Sequence, residues 1–168
     1  MMLGPLRHRF IALDRAEEQG IGHYVVPRYT RVIDTAESRN DINKAYNLIS
    51  TSKVRNEMIA NDVKQSISQS QTPVILTRYK EHAKILHDML KDKADHVFLL
   101  YGDNSDKENT EMRIRLKQVP RTESLILIAT SQKIGEGFDF PRLDVLMLAA
   151  PVSFEGRLEQ YIYRKTES

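Results

Sequence analysis

Apolar and polar positions follow two different periods along the chain. Between residues 34 and 71, apolar side chains recur at Ile42, Ala45, Tyr46, Leu48 and Ile49, then at Val54, Met58, Ile59, Val63 and Ile67. Steps of three and four dominate, which predicts amphipathic helices broken near Ser50-Thr51-Ser52. Thr51 or Ser52 is placed to cap the second helix, with Glu57 in its early turns. From Pro73 short, almost wholly apolar runs take over: PVILT at 73–77, HVFLLY at 96–101, LILIA at 125–129 and DVLMLAA at 144–150. Such runs belong to strands buried on both faces. Between them lie helical stretches at 79–92, with Ala83, Leu86, Met89 and Leu90 facing inward, and at 106–119, with Ser105 as cap. Another helix begins at 155–164. Strands alternating with helices imply βαβ units, right-handed crossovers and a mostly parallel sheet flanked by helices, a three-layer α/β fold.

The first 33 residues read differently. Residues 6–13 and 23–33 are rich in β-branched and aromatic side chains and are separated by Gly20-Ile21-Gly22. They predict two extended segments, and Pro27 makes the second an edge strand. The alternating charges at 103–117 read as a solvated helix face.

Composition narrows the classes. At 168 residues the chain is one domain, or one domain with an appendage. It is 40% hydrophobic and 29% charged, as in an ordinary globular protein. No apolar run approaches the ~20 residues of a membrane span, and Met1 to Pro5 do not open a signal peptide. The absence of cysteine excludes disulfides and thiolate metal sites and fits a cytoplasmic location. A net charge of +2 permits a nucleic-acid partner without requiring one.

A parallel sheet collects all its C-terminal strand ends on one edge, where open α/β folds bind ligands. That edge gathers Thr77-Arg78, Tyr101-Gly102, Thr130-Ser131 and Pro151-Val152-Ser153. Taken singly, each hydroxyl could serve only to cap the helix that follows. Together, hydroxyls, amides and an arginine on one rim suit phosphate oxygens. Gly135 and Gly137 fit a turn. They form neither a Walker A loop, which needs Gly-Lys-Ser/Thr, nor the three-glycine dinucleotide fingerprint. Asp139 is either a turn residue or a ligand to a ribose hydroxyl or a catalytic group. Gln160 and Arg164 share one helix face, as a surface pair or as phosphate contacts. The five histidines show no metal-ligand spacing, and His82 and His87 are expected to face solvent. No metal site, nucleophile or acid–base pair stands out.

Three stretches carry a resemblance: PVILTRYKEHAKIL, VFLLYGDNSDKE, and LILIATSQKIGEGFDFPRLDVLMLAAPVSFEGRLEQYIYR. They are similar to the second, C-terminal RecA-like motor domain of superfamily 2 helicases. The bacterial DEAD/DEAH-type group related to the helicase subunits of type III restriction enzymes is the nearest match. The likeness covers nearly the whole chain: residues 1–33 resemble the segment joining the two motor domains, and 34–168 the C-terminal RecA-like (P-loop NTPase-type) domain. Its most specific part is motif V, Ala-Thr-x-x-x-x-Gly-x-Gly-x-Asp, beginning at Ala129. The resemblance implies that Thr77, Arg78, Thr130 and Ser131 contact the nucleic-acid backbone. It implies that Gly135, Gly137, Asp139, Gln160 and Arg164 face a nucleotide, ATP with Mg²⁺ in the parent protein. No catalytic set would be complete, Arg164 being only a remnant of motif VI.

The chain departs from the pattern in motif VI, Gln-x-x-Gly-Arg-x-x-Arg. Tyr163 occupies the glycine position and Glu167 the final arginine position, so the domain reads as truncated within that motif. Neither a Walker A lysine nor a DExH/DEAD box occurs in the sequence. The expected function is therefore a motor-domain fragment of an ATP-dependent helicase or translocase. It would contribute backbone binding and one wall of the ATP cleft, and would be inactive alone. Its expected partners are nucleic acid, DNA in preference to RNA, and a missing N-terminal motor domain, with no membrane. The alternatives are a catalytically inactive RecA-like binding module and, from another class, a small doubly wound enzyme with a phosphate-bearing substrate.

Overall fold

In the computed structural model, residues 26–28, 41–102, 104–130 and 142–150 are described. The chain divides into two units, Thr30–Val152 and Met1–Tyr29 with Ser153–Ser168. In the second unit only Val26, Pro27 and Arg28 are described; they are exposed and form no strand. The remainder of the expected connecting segment at 1–33, and the helix at 155–164, lie outside the described residues.

The first unit opens with two helices, α1 (Ile42–Thr51) and α2 (Lys53–Ser68). Asp41 caps α1 through bonds from the Asn43 and Lys44 amides. The break falls at Ser52, whose extended backbone ends one helix and begins the next. The expected break is thus observed, but Ser52 makes no side-chain cap bond. The break is held from elsewhere. The Ser50 carbonyl, which the helix end leaves without an intrahelical donor, accepts a bond from Asn56 Nδ2 at 2.8 Å.

Four strands follow: β1 (Pro73–Thr77), β2 (His96–Leu100), β3 (Leu125–Thr130) and β4 (Val145–Leu148). They pair in the order β2-β3-β1-β4, every pair parallel. Two further helices connect them, α3 (Lys80–Leu90) from β1 to β2 and α4 (Asp106–Gln118) from β2 to β3. The β1–β2 crossover moves one way across the sheet and the β2–β3 crossover moves back. With one right-handed sense, α3 and α4 therefore cover opposite faces. The chain thus carries a parallel α/β sheet flanked by helices.

β1 and β3 are the central strands and are buried along their whole length, which explains why they are apolar up to their terminal threonines. The edge strands β2 and β4 are only half-buried. One face of the sheet packs Ile75, Ile126, Ile128 and Ala149 against Ala60 and Val63 of α2 and Ala83, Leu86 and Leu90 of α3. Met89 packs at the margin of this cluster. Each of the large aliphatic side chains contributes roughly 1.5–3 kcal/mol by leaving water. α4 packs on β2 and is mostly exposed, burying Asn109 and Leu116, as its charge pattern predicts. Ser105 caps it in a reciprocal box with Glu108. The bonds from Ser105 hold the Glu108 carboxyl below its ordinary pKa.

The N-terminal edge of the sheet is tied together by one arginine. Arg142 donates from Nε to Thr72 Oγ1 (3.2 Å) and from Nη1 to the Val119 and Pro120 carbonyls (3.1 and 2.9 Å). Its Nη2 donates to the Glu123 carbonyl. Asp144 completes the tie: its carboxylate accepts from the Thr72 amide at 2.9 Å, and its own amide donates to the Thr72 carbonyl. A planar guanidinium is the side chain that can serve several acceptors in one plane. Among the described residues no helix is long and apolar enough to cross a membrane.

Candidate nucleic-acid interface

The C-terminal edge is built by register. Thr77 and Thr130 are partners across β1 and β3, so both side chains leave the same face of the sheet, the face that carries α3. Both are buried, but their hydroxyls have different fates. Thr77 Oγ1 lies 2.7 Å from His82 Nδ1. It is committed inside the domain rather than offered at the rim. Thr130 is 4% exposed, and its Oγ1 has no hydrogen-bond partner among the described residues. A buried hydroxyl left without a partner costs about 1–3 kcal/mol, and a ligand oxygen arriving there would recover it.

His82 corrects the expectation that it faces solvent. It is fully buried. The reason lies in helix geometry: His82, Leu86 and Leu90 succeed one another at four-residue steps and share one stripe. Its Nε2 lies 2.9 Å from Asn56 Oδ1. Because Asn56 Nδ2 donates to Ser50, Oδ1 must accept, so His82 Nε2 carries the proton and Nδ1 accepts from Thr77. Burial, with the Arg55 charge nearby, lowers its pKa to about 4. The imidazole is therefore neutral at physiological pH, as the chain of bonds requires. His87 is half-buried, with Nδ1 3.9 Å from Asp88.

The rim above these groups is basic and aromatic. Arg78 is exposed, its guanidinium 4.7 Å from the centre of the Tyr46 ring and 5.9 Å from that of Tyr79. Lys80 Nζ lies 4.7 Å from the Tyr101 ring on the end of β2. These distances are those of cation–π contacts. Helix α3 begins here with Tyr79 as its cap residue and no side-chain cap bond. By contrast, α4 is closed by Ser105 and Glu108. The positive end of α3, flanked by Arg78 and Lys80, is the part of the edge suited to an anion.

The structure therefore brings Thr77, Arg78 and Thr130 together at one edge. Ser131, Gly135, Gly137, Asp139, Gln160 and Arg164 lie outside the described residues. Two residues that the sequence reading missed belong to the site. Tyr46 and Tyr79 flank Arg78; Tyr79 follows it directly in the chain, whereas only the pairing of a distant helix with a strand end reveals Tyr46.

The described sheet and its flanking helices have known counterparts. The chain superposes on T4 UvsW with a TM-score of 0.58, at 18% identity over 74% of this chain and 24% of that one. It superposes on the helicase domain of Pyrococcus furiosus Hef with a TM-score of 0.51, at 23% identity over 77% of this chain and 28% of that one.

The fold is RecA-like.

No family model matches the chain. In sequence it is similar to the Transcript termination protein A18 of Yaba-like disease virus, 26% identical over 112 residues. It is also similar to that of Fowlpox virus, 28% identical over 113 residues. Each match covers 66% of this chain, which spans 23% of the relative's length.

Proposed function

We propose that this RecA-like domain is the second motor domain of a nucleic-acid helicase or translocase, gripping one strand by its phosphates. The observation that carries the reading is the buried, unpartnered hydroxyl of Thr130 beneath a rim holding Arg78 and Lys80. A backbone phosphate offers acceptor oxygens to that hydroxyl, to the arginine fork and to the α3 amides together. The name of the viral relatives, transcript termination, fits a nucleic-acid partner. DNA is the preferred strand in this reading. The spacing of motif V supports the finer grouping with the helicase subunits of type III restriction enzymes.

ATP and Mg²⁺ would serve the parent protein, in a cleft that this domain closes from one side. ATP hydrolysis supplies the energy for alternate closing and opening of the two motor domains. The nucleotide-facing candidates Gly135, Gly137, Asp139, Gln160 and Arg164 would form this domain's wall. The sequence holds no Walker A lysine and no DExH/DEAD box to hold the metal and the β/γ-phosphates. The chain alone is therefore expected to leave ATP intact. Tyr163 and Glu167, in place of the motif VI glycine and arginine, favour a second reading as a RecA-like binding module without turnover.

Two assays test the proposal. The purified chain with ATP, Mg²⁺ and single-stranded DNA should release no phosphate above a blank without protein. Its affinity for labelled single-stranded DNA should fall as salt rises, each phosphate contact adding about −0.7 to the slope of log K against log salt. RNA of the same length should bind more weakly. Affinity that is absent, or flat across the salt series, would refute strand gripping.

A further inference from the structure

Arg78 is exposed, yet its position is over-determined. Its guanidinium lies on the Tyr46 ring, and Tyr79 packs edge-on to that ring, the centres 5.7 Å apart at 75°. The Tyr79 hydroxyl donates to Asn43 Oδ1 at 3.2 Å, which ties it to α1. Tyr46 is buried, and its carbonyl accepts from the Ser50 hydroxyl at 2.7 Å. From Ser50 the bonds run through Asn56 and His82 to Thr77, the residue before Arg78. The contacts close a ring: Tyr46, Ser50, Asn56, His82, Thr77, Arg78 and back to Tyr46. Among the described residues Arg78 has no carboxylate or carbonyl partner. Toward the described residues its N–H groups are therefore held in place and unspent.

We propose that Tyr46 is a positioning residue for nucleic-acid binding, holding the Arg78 guanidinium flat so that its fork meets a phosphate of the bound strand. The inference rests on the reading of this edge as a strand-gripping surface. A long side chain loses rotamer freedom when it binds a ligand. Stacking on an aromatic face removes part of that freedom in advance. Tyr46 touches no phosphate in this account; it acts through Arg78.

The test uses the whole 168-residue chain and a fluorescein-labelled oligodeoxythymidine, with anisotropy read across a salt series. Arg78→Ala should weaken binding about tenfold and reduce the salt slope by about 0.7, one single-strand phosphate contact. Tyr46→Leu keeps apolar volume and removes the π face. It should lose most of both, although no charge is removed. Tyr46→Phe should bind as the unaltered chain does. The double variant Tyr46→Leu with Arg78→Ala should bind no more weakly than Arg78→Ala, since Tyr46 has nothing left to position. Arg78→Lys, which leaves α1 untouched, should bind several-fold more weakly than the unaltered chain because an ammonium cannot lie flat on the ring. Tyr46→Leu at full affinity and slope, additive losses in the double variant, or Arg78→Lys at full affinity would each overturn the inference while leaving strand gripping intact. An unaltered chain without salt-dependent affinity would overturn both.

Discussion

Replacing His82 by alanine is expected to lower the stability of the domain by about 4 kcal/mol, the largest loss from any single side chain in the rim. The substitution opens a cavity beneath fully buried packing. It also strips partners from two buried polar groups, Thr77 Oγ1 and Asn56 Oδ1. Denaturant unfolding checks the value. His82→Gln should recover much of the loss, because one amide both donates and accepts. Acid gives an independent signature. The folded-state pKa is about 4, below the ordinary 6.5 that applies to the unfolded chain. Between those values the unfolded chain binds a proton that the folded one does not. Stability from this group is therefore complete above pH 6.5, falls by up to about 3 kcal/mol as pH drops to 4, and levels off below. His82→Gln should lack this share of the acid sensitivity. Equal pH dependence in the two proteins would contradict the buried neutral imidazole.

Arg142→Ala is expected to cost about 2–3 kcal/mol, since hydrogen bonds to a charged group are worth more than neutral ones. Four acceptors lose their donor, on Thr72, Val119, Pro120 and Glu123. All four of these bonds are at least partly open to water, so hydration recovers part of the loss and keeps it below that for His82. Arg142→Lys should restore little, because an ammonium is a compact point donor and the acceptors are spread across the plane of a guanidinium. The measurement is the midpoint of thermal unfolding, with Arg121→Ala, an exposed arginine in the α4–β3 loop that Arg142 binds, as control.

The regular part of the fold was legible because its strands state their environment. LILIA and PVILT are almost wholly apolar since helices cover both faces, and the helices between them show their stripes and caps. The break at Ser50 to Ser52 was legible from the change of period. What holds that break was not, because Asn56 and the Ser50 carbonyl meet only once the two helices pack. His82 was misread for a different reason. Its chemistry suggested water, while its spacing from Leu86 and Leu90 already assigned it to the core stripe. Arg142 was passed over because an arginine after a proline carries no pattern; its role depends on three loops that converge in space. At the site, Thr130 and Arg78 were found from strand ends and motif spacing. The partners that distinguish them were not: His82 engages the hydroxyl of Thr77 and leaves that of Thr130 unsatisfied, and Tyr46 comes from a helix far upstream.

That difference between two in-register threonines permits the most direct test of strand gripping. Thr130→Val preserves shape and removes the unpartnered hydroxyl. The variant should be about 1 kcal/mol more stable than the unaltered chain, because a buried polar group without a partner is gone. It should also bind single-stranded DNA about tenfold more weakly, because a charge-assisted bond to phosphate is lost. Greater stability with weaker binding is the result expected of a hydroxyl kept for a ligand. Unchanged binding, or a less stable protein, would show that Thr130 serves the fold and not a strand.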